Sequence, residues 1–343
     1  MKVYIDTKSL SGPSRFRGIG KYTSELTTAL KKEKGVEIGE NDKSFNPDII
    51  HYPYFVFYFL SLPIIKKRKT VVTIHDCTPL VFLQEYPPGV KGKLKFFLQR
   101  FSLKSAKAVI TDSQSSKNDI CRLLGVPKEK IHVVYLAAGE EYQKLKEKDK
   151  RLSQIKRKFN LPDKYILYVG DVNYNKNLFG LIEAFSLVKS QDLQLVMVGK
   201  AFENEELGEV KKIKDKVAEL NLQNRIKFLG FVSDEDLLVI YNLAQAYCQP
   251  SFYEGFGIQI LEAMACGVPV ITGNTSSMPE VAGEAAVLID PQKPGEIAGA
   301  IEKITTDLAF RGNLIGKGLS QTAGFSWEKT ARQTKKVYED VLK

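Results

Sequence analysis

The sequence predicts an α/β protein of two doubly wound domains, each with a parallel sheet covered by helices. Its 343 residues exceed what a single hydrophobic core usually supports, so two domains are expected. Short β-branched runs alternate with helical periods through most of the chain, which is the pattern of parallel sheets connected by helices. With 43% apolar and 26% charged residues and no low-complexity tract, the composition favours folding throughout.

Runs rich in β-branched residues predict the individual strands. In the first domain they lie at 3–5, 49–51, 71–74, 109–111 and 131–135. In the second domain they lie at 165–169, 193–198, 226–229, 246–249, 268–271 and 287–289. Between the first two strands of the second domain, apolar residues recur at helical spacing from 178 to 188 and predict a helix that faces the sheet.

The domain border is predicted within the charge-dense stretch 138–164, which contains no strand run. We assign residues 1–155 to the first domain and 156–325 to the second, followed by a C-terminal helix at 326–343. The alternative for the charge-dense stretch is a solvated helix of the first domain. The C-terminal segment SWEKTARQTKKVYEDVLK predicts a helix capped by Ser326.

The net charge narrows the partners that the chain attracts. Fifty basic against forty acidic residues give a formal net charge of +10, which attracts nucleic acid, anionic lipid or phosphorylated small molecules. No helix-turn-helix, zinc-finger or RNA-binding aromatic signature is visible, so nucleic acid is not expected as a partner. Anionic lipid and nucleotides remain.

Cysteine and histidine spacing predicts neither a disulfide framework nor a metal site. The four cysteines lie far apart without a CxxC pair, and the three histidines are not at metal-ligand spacing. We therefore expect buried structural thiols, no metal and no cofactor. Because the segment MKVYIDTKSL lacks the features of a signal peptide, the expected location is the cytoplasm.

The segment EGFGIQILE at 254–262 carries the strongest indication of function. Good helix formers run from 258 to 265, so residues 255–257 form the loop that enters a helix. Amides at a helix N-terminus suit a phosphate or a hydroxyl, and glycine lets a ligand approach the backbone closely. Since carboxylates accept hydrogen bonds from sugar or ribose hydroxyls, Glu254 and Glu262 are candidate ligand contacts.

Together with six further motifs, this segment resembles the family 4 glycosyltransferases of the GT-B fold. The resemblance covers nearly the whole chain, and the order and spacing of the motifs make it specific although each motif alone is weak. The pair IHD and GIGKY looks most like bacterial mannosyltransferases that build surface polysaccharides. The motifs are RGIGKYTSEL at 17–26, VVTIHDCTPLVFLQEYP at 71–87, ITDSQSSKNDI at 110–120, YVGDVNYNKNL at 168–178, FLGFVSDEDL at 228–237, EGFGIQILEAMACGVPVI at 254–271 and SSMPEVAGEAAVLIDP at 276–291.

The resemblance implies retaining transfer of a hexose from a nucleotide diphosphate sugar to an acceptor hydroxyl, in a cleft between two Rossmann-like domains. The first domain would serve the acceptor and the second would bind the donor, with the C-terminal helix crossing back to the first. GDP-mannose is favoured as the donor, and the acceptor is a glycan or a lipid-linked glycan. No metal is usually needed in this fold, because basic side chains and helix amides neutralise the leaving diphosphate.

Carried over residue by residue, the resemblance assigns most donor contacts to the second domain. Glu254 matches the position that contacts hydroxyls of the donor sugar, and Glu262 matches the position that holds the ribose. The alternatives are a loop anion for Glu254 and an exposed helix residue for Glu262. The adjoining residues expected to meet the donor's sugar or phosphates are Gly255, Phe256, Gly257 and Ile258.

Lys176 matches the lysine of the family's phosphate pair. It lies between a predicted strand and the following helix, where a point charge can stabilise the departing diphosphate. Its partner in the family is commonly an Arg directly after the strand glycine, but here Asp171 follows Gly170. Either Lys200, which follows Gly199, takes that role, or the diphosphate is held less strongly than usual.

Two backbone segments are further candidates for donor contacts. The base of the donor is often recognised by backbone near the loop of Phe231 and Val232. Gly18 and Gly20 are expected between the first strand and the first helix, where their amides could cap the diphosphate. A plain turn is the alternative, because Thr23 occupies the third glycine position of a GxGxxG fingerprint and a dinucleotide site is weakly supported.

His75 and Asp76 follow the predicted strand 71–74 at its carboxyl end, where open α/β sheets bind ligands. A lone histidine is more often structural than catalytic. The match of His75 to the family's HD position, which lines the acceptor side near the reacting sugar, favours a functional role. Asp76 could equally cap the following loop.

No carboxylate of the sequence can be assigned as a nucleophile, so we expect front-face transfer in which the leaving phosphate accepts the acceptor's proton. The expected catalytic residues are then His75, Asp76, Lys176 and Glu254, acting by positioning and charge.

Two alternatives to glycosyl transfer remain. One is a catalytically inert, membrane-docked binding relative, suggested by Asp171, and the other is an NAD-dependent oxidoreductase on a doubly wound fold, which the absent third glycine disfavours.

Two segments predict a surface that binds anionic lipid. YFVFYFLSLPII at 54–65 is followed by KKRK, and residues 89–107 contain six basic residues and no acid. Apolar side chains interleaved with Lys and Arg suit an interfacial helix on anionic lipid, which would make the protein peripheral on the inner face of the cell membrane. The first run is too short to span a bilayer, and a buried core element is its alternative.

Overall fold

A computed structural model describes residues 1–10, 18–40 and 44–343. Within them the chain forms two compact units, each with a parallel six-stranded sheet and surrounding helices, which confirms the predicted fold class. The first unit contains Met1–Ala137 and Phe325–Lys343, and the second contains Ala138–Gly324.

All five strands predicted for the first unit form, and they join a sixth in the order β2-β1-β3-β4-β5-β6. The strands are β1 (Lys2–Ile5), β2 (Glu37–Gly39), β3 (Ile49–Tyr52), β4 (Lys69–Thr73), β5 (Ala108–Thr111) and β6 (Ile131–Val133). The helices are α1 (Gly18–Lys31), α2 (Thr78–Val81), α3 (Gly89–Lys104) and α4 (Gln114–Asp119). Strand β2 was not predicted, because this three-residue edge strand has a single apolar side chain, Ile38, and therefore no alternating pattern.

All six strands predicted for the second unit form, in the order β12-β11-β10-β7-β8-β9. They are β7 (Tyr165–Val169), β8 (Gln194–Val198), β9 (Ile226–Leu229), β10 (Ala246–Gln249), β11 (Val270–Gly273) and β12 (Ala286–Ile289). The helices are α5 (Lys150–Lys158), α6 (Leu178–Leu187), α7 (Gly208–Glu219), α8 (Asp234–Leu243), α9 (Ile258–Ala265), α10 (Met278–Ala282), α11 (Pro294–Thr306) and α12 (Leu308–Thr322). Helix α6 is the helix that the apolar spacing predicted.

The border between the units falls at 137/138 and not at 155/156 as expected from the sequence. The charge-dense stretch contains α5, which packs against α8 of the second unit. Lys158 at the end of α5 forms an ion pair with Asp236 of α8, with 2.6 Å between ammonium and carboxylate. Because of these contacts, the charge-dense stretch belongs to the second unit.

The order of the second sheet reverses at β7, which has β8 on one side and β10 on the other. Residues 165–168 of β7 are all fully buried, as expected for a central strand covered by helices on both faces. The connections that follow β7 and β10 therefore run to opposite sides and leave a crevice at the carboxyl ends of the two strands.

The C-terminal helix α13 (Trp327–Leu342) belongs to the first unit and packs against α1, which confirms the expected return of this helix. Its predicted cap forms, because Ser326 Oγ accepts a hydrogen bond from the amide of Lys329 at 3.2 Å. Further along the helix, the Tyr338 hydroxyl lies 2.7 Å from His51 Nδ1 of β3.

The aromatic run 54–65 is divided between core and surface. Phe55, Phe57 and Leu62 are buried, so the core alternative is right for these side chains. Phe59 and Leu60 are exposed. The segment forms turns and not the interfacial helix expected from its composition. Within the described ranges, no helix is both long and apolar enough to cross a bilayer.

Three of the four cysteines are buried as predicted, and Cys121 is half-buried. Burial raises the pKa of the thiols of Cys77, Cys248 and Cys266, so these groups stay protonated and unreactive at neutral pH.

Candidate functional site

The candidate site of the second unit lies where the connections after β7 and β10 meet. Because these strands are parallel neighbours, their carboxyl ends lie side by side. Lys176 ends a short 3-10 turn after β7, and Glu254 lies in the loop between β10 and α9. Lys176 Nζ is 2.8 Å from each carboxylate oxygen of Glu254. The fold thus joins two predicted residues that are 78 positions apart in the chain.

Glu254 accepts hydrogen bonds from two further side chains of its own loop and strand. Gln249 Nε2 donates to Oε1 at 2.7 Å, and Ser251 Oγ donates to the same oxygen at 2.6 Å. The carboxylate is buried, and so is most of the Lys176 side chain. Burial of a carboxylate is costly without a countercharge and hydrogen-bond donors, and Glu254 has both. Its burial distinguishes it from a solvated loop anion.

Two asparagines that the sequence analysis did not identify hold the loop of Lys176, which follows β7, against the loop of Glu254, which follows β10. Asn175 Nδ2 donates to the carbonyl of Tyr253 at 2.9 Å. Asn177 Nδ2 donates to the carbonyls of Pro250 at 3.0 Å and Pro291 at 2.6 Å. The position of Lys176 between these two asparagines is therefore fixed by its neighbours on both sides.

Asn177 also begins α6. Its backbone has φ of 54°, a left-handed conformation that Asn tolerates better than most residues, and its Oδ1 accepts a hydrogen bond from the amide of Gly180 at 3.2 Å. An Asn directly before a predicted helix is a capping signal, so the sequence contained a means of finding this residue.

The loop 255–257 enters α9 as predicted, and all three of its residues are buried. Gly257 precedes the helix with φ of 86°, in the region that favours glycine, and no side chain caps the helix there. Two serines of the SSMPE segment fix the loop. Ser276 Oγ accepts from the amide of Glu254 at 2.9 Å, and Ser277 Oγ donates to the carbonyls of Glu254 and Phe256 at 2.9 and 3.0 Å.

Glu262 lies inside α9 and is 4% exposed, so the alternative of an exposed helix residue is wrong. The Tyr241 hydroxyl donates to Glu262 Oε2 at 3.1 Å. Burial, and after it the charge of Glu262, raise the pKa of Tyr241, so the hydroxyl remains a donor at neutral pH. The ring of Tyr142 packs edge-on against Tyr241 at a centroid distance of 5.8 Å.

The remaining donor candidates of the second unit follow β8 and β9 at the same edge of the sheet. Lys200 is exposed at the start of a 3-10 turn after β8. The preceding Gly199 packs so closely that a Cβ there would lie 2.1 Å from the carbonyl oxygen of Gly170. After β9, Val232 is buried and Phe231 is half exposed.

Asp171, which the resemblance matches to an arginine position, is the second residue after β7. Its Oδ1 accepts a hydrogen bond from the amide of Val172 at 3.1 Å, and the Tyr168 hydroxyl donates to its carbonyl at 2.7 Å. The acidic side chain thus takes part in the turn that leaves β7.

Gly18 and Gly20 lie within α1, as its first and third residues, and do not precede it as expected. Thr23 Oγ1 donates to the carbonyl of Ile19 at 2.8 Å, so the helix extends back through the GIGKY motif. Arg17 lies outside the described residues.

The first unit contains a second buried pair at the carboxyl ends of neighbouring strands. His75 follows β4 and Asp112 follows β5, and the two strands are parallel neighbours. His75 Nδ1 is 2.6 Å from Asp112 Oδ2, and His75 Nε2 is 3.1 Å from the carbonyl of Pro53. The ring of Tyr22 stands edge-on to the imidazole at 4.6 Å. Asp112 was not among the predicted site residues, although it belongs to the ITDSQSS motif.

These contacts favour a positively charged His75. A carboxylate and a carbonyl can only accept hydrogen bonds, so both ring nitrogens must donate. Burial lowers the pKa of His75, but the charge of Asp112 and the hydrogen bonds outweigh it, and the pKa is raised above its ordinary value. An imidazolium that donates from both nitrogens has no lone pair left to accept a proton.

Asp76 forms the capping contact that the sequence left open as its alternative. Its Oδ1 accepts a hydrogen bond from the amide of Thr78 at 2.7 Å, at the start of α2. Among the residues described, no group of three or more His, Cys, Asp or Glu is arranged to hold a metal ion.

Two family models match the chain: Glycosyltransferase Family 4 over residues 37–138 and Glycosyl transferases group 1 over residues 149–319. The O-antigen chain mannosyltransferase B of Escherichia coli is 33% identical over 279 residues, which are 79% of this chain and 70% of that protein. The chain belongs to glycosyltransferase family 4. It is a glycosyltransferase, and the oxidoreductase alternative has no support.

A longer relative and a protein of known structure are also similar to this glycosyltransferase. The serotype-specific mannosyltransferase WbdA of Escherichia coli is 31% identical over 294 residues, or 83% of this chain, and the chain spans 36% of the length of WbdA. Sucrose-phosphate synthase from Thermosynechococcus elongatus is 20% identical with a TM-score of 0.79, covering 99% of this chain and 98% of that chain. The fold is that of the GT-B glycosyltransferases.

Proposed function

We propose that the chain transfers mannose from GDP-mannose to a hydroxyl of a glycan or lipid-linked glycan, with retention of the anomeric configuration. The Lys176–Glu254 pair carries this proposal. It provides a cation and a hydroxyl acceptor at the switch point of a parallel sheet, where nucleotides bind in doubly wound folds. Mannose and GDP are favoured because the relatives named above are mannosyltransferases.

In this proposal, donor binding breaks the ion pair between Lys176 and Glu254, and each side chain then contacts the donor. Without donor, Glu254 holds the Lys176 ammonium by both carboxylate oxygens. An entering diphosphate offers the ammonium more negative charge, and a released Glu254 oxygen then accepts a hydrogen bond from a sugar hydroxyl. Lys176 stabilises the charge that develops on the leaving diphosphate.

Other residues of the second unit supply further donor contacts in this proposal. The peptide groups of 255–258 meet the sugar or phosphates, and Glu262 holds the ribose. Val232 lies at the loop that recognises the base, and Lys200 supplies the second positive charge in place of the usual arginine. In the first unit, Gly18 and Gly20 lie at the N-terminus of α1, where backbone amides suit a phosphate group.

On the acceptor side, His75 contributes positive charge and Asp76 orders the turn that follows it. Because both nitrogens of His75 donate to protein acceptors, the histidine is not the proton acceptor of the reaction. The leaving phosphate takes the proton of the acceptor hydroxyl as the new glycosidic bond forms on the same face.

A donor panel tests the proposal most directly. A ligand that binds only the native state raises the melting temperature, so GDP-mannose should raise it more than UDP-glucose, UDP-N-acetylglucosamine or ADP-glucose. Glu254→Gln should abolish the shift, while Glu219→Gln, which changes an exposed acid of α7, should retain it. A larger shift with another donor would overturn the choice of GDP-mannose.

Turnover and product geometry test the reaction itself. Incubation with GDP-mannose and a mannose-containing acceptor should release GDP and form an α-linked product, which nuclear magnetic resonance identifies from the one-bond carbon–hydrogen coupling at the anomeric carbon. Activity should survive a chelator such as EDTA, because Lys176 and the helix amides supply the charge that a metal would otherwise provide. A β-linked product, or loss of activity restored by a divalent cation, would contradict the proposed mechanism.

Asp171 favours one second candidate, a binding subunit that takes the nucleotide sugar but does not transfer it. An acid beside the diphosphate site would weaken stabilisation of the leaving group. Donor binding in the thermal-shift panel without release of GDP would favour this candidate.

A further inference from the structure

Large apolar side chains are exposed mainly in one part of the first unit. Sixteen such side chains are exposed among the residues that the structure describes, and nine of them lie between positions 59 and 101. Isolated exposed apolar residues are normal, whereas a cluster marks an interaction site. The nine are Phe59, Leu60, Ile64, Ile65, Leu83, Val90, Leu94, Phe97 and Phe101.

Four of these side chains form a stripe along α3. Their spacing of four, three and four residues places them on one face of the helix. The exposed fractions are 87% for Val90, 63% for Leu94, 69% for Phe97 and 60% for Phe101. The opposite face of α3 is used for packing, with buried residues at Gly92, Gln99, Ser102 and Leu103. Helix α3 therefore packs within the unit through this opposite face and leaves the apolar stripe exposed.

The segment that precedes β4 is fixed to α3 by polar contacts, of which those between Gln99 and Leu62 are buried. Gln99 Oε1 accepts hydrogen bonds from the amides of Ser61 at 2.9 Å and Leu62 at 2.8 Å, and Gln99 Nε2 donates to the carbonyl of Leu62 at 3.0 Å. Lys66 Nζ donates to Ser102 Oγ at 2.8 Å and to Ser105 Oγ at 2.9 Å. Segment and helix thus form one preorganised surface.

Basic side chains surround the apolar ones on this surface. The ammonium of Lys95 lies over the ring of Phe59, 5.3 Å from its centroid, and this contact joins the segment to α3. A shallow depression where the segment enters β4 is lined by Ile64, Lys66, Lys67, Arg68, Lys69, Ser105 and Lys107. From residue 52 to 75 the chain has four basic residues and no acid, and from 86 to 107 it has six basic residues and no acid.

We propose that this surface, formed by residues 59–69 and 89–107, docks on an anionic lipid bilayer, with the stripe of α3 inserted among the acyl chains. An apolar stripe flanked by lysines is the composition of helices that lie in a bilayer interface. Lipid phosphates supply the negative charge that the surface itself lacks. A second copy of the chain does not fit as the occupant, since it would bring two surfaces of the same sign together.

Vesicle flotation tests the proposal with the full chain. Binding needs neither donor nor acceptor, so its outcome is independent of the proposed mannosyl transfer. The chain should float with vesicles of phosphatidylcholine and phosphatidylglycerol, and should not float with phosphatidylcholine alone. Binding should fall sharply at 1 M salt, where the Debye length is only about 3 Å. Equal binding to both vesicles, or binding to neither, overturns the proposal.

Matched variants separate the apolar and the basic contributions. Leu94→Ser with Phe97→Ser and Phe101→Ser should reduce the vesicle partition coefficient at least about tenfold, because three interfacial side chains are lost. Leu187→Ser with Leu308→Ser and Leu319→Ser, which alters exposed apolar residues of the second unit, should leave the partition coefficient unchanged.

Lys91→Gln with Lys93→Gln should also reduce binding about tenfold, whereas Lys211→Gln with Lys212→Gln on α7 should not.

A tryptophan reporter checks insertion without weakening the surface. The sequence has one tryptophan, Trp327, which is 5% exposed and gives a constant background. Phe97→Trp should shift its emission to shorter wavelength on anionic vesicles, and Leu308→Trp should not. If both reporters respond alike, or if the serine variant of α3 converts a dimer to a monomer in solution without any vesicle effect, the surface is not a lipid-binding surface.

Discussion

Each unit places a buried ion pair at the carboxyl ends of two neighbouring parallel strands. In the second unit Lys176 follows β7 and Glu254 follows β10, and in the first unit His75 follows β4 and Asp112 follows β5. The same topology thus produces the same kind of contact twice. The two pairs differ in how many hydrogen bonds their carboxylates accept and in the type of cation, a lysine in one and a histidine in the other.

Glu254 is surrounded by donors, whereas Asp112 is not. Glu254 accepts from Lys176, Gln249 and Ser251. Asp112 Oδ1 has no hydrogen-bond partner within the described part of the chain. The cation beside Asp112 is a histidine, which can lose its proton near neutral pH. The comparison indicates that the first unit holds a pH-dependent charge at His75, whose pKa is raised mainly by the charge of Asp112 against the effect of burial.

Removing the cation of the second pair should have the largest effect. Lys176→Met leaves the buried Glu254 carboxylate without a countercharge, which should cost about 3–5 kcal/mol in the free energy of unfolding. Loss of charge stabilisation should also lower GDP-mannose turnover by about 10²–10³-fold. Urea denaturation and a GDP-release assay measure the two effects.

The double variant Lys176→Met with Glu254→Gln provides the control. It removes both charges, so most of the lost stability should return, but turnover should stay low. Recovery of turnover in the double variant would show that Lys176 supports folding alone and would contradict its role at the diphosphate.

Removing the anion of the first pair should have the next largest effect. Asp112→Asn should lower the pKa of His75, whose raised value depends on the Asp112 charge and hydrogen bond. The wild-type pair stabilises the fold fully below the unfolded histidine pKa of about 6.5, and this contribution is lost as pH rises through the folded pKa. The variant should lose about 1.5–3 kcal/mol below pH 6.5 and show a smaller decline of stability above it.

Histidine resonances and urea midpoints at several pH values measure this difference. His51 provides an internal control, because burial and the charge of His75 lower its pKa to about 3 and it stays neutral near pH 7 in both proteins. An unchanged His75 titration in Asp112→Asn would mean that the carboxylate does not hold the imidazolium.

The sequence predicted the residues of the two sites unequally. Glu254, Lys176 and His75 were found because each belongs to a local motif with an established order along the chain. Asp112 was missed, since its role depends on the neighbour relation between β4 and β5, and strand pairing is not encoded in local periodicity. The unit border was misplaced for a similar reason, because the packing of α5 on α8 is a long-range contact.

Removing the hydrogen bonds that hold the loop of Lys176 in place should destabilise the fold less than removing the charge of Lys176. Asn177→Gly keeps the left-handed backbone available but loses the hydrogen bonds to Pro250, Pro291 and Gly180, which should cost about 1–2 kcal/mol in the free energy of unfolding. The exposed Asn221 has nearly the same backbone angle, with φ of 55°, and Asn221→Gly is the matched control. Equal urea midpoints for the two variants would contradict the bracing role of Asn177.

The smallest effect concerns the acid that replaces the family's arginine. Asp171→Arg removes a negative charge at the carboxyl end of β7 and adds a positive one, so it should lower the KM for GDP-mannose about threefold with kcat little changed. The gain is limited because the Asp171 carboxylate also accepts the amide of Val172, a contact that arginine cannot make. Asp192→Arg, which makes the same charge change at an exposed position, should leave KM unchanged. If both variants lower KM equally, the gain comes from net charge alone, and the diphosphate does not lie beside the turn after β7.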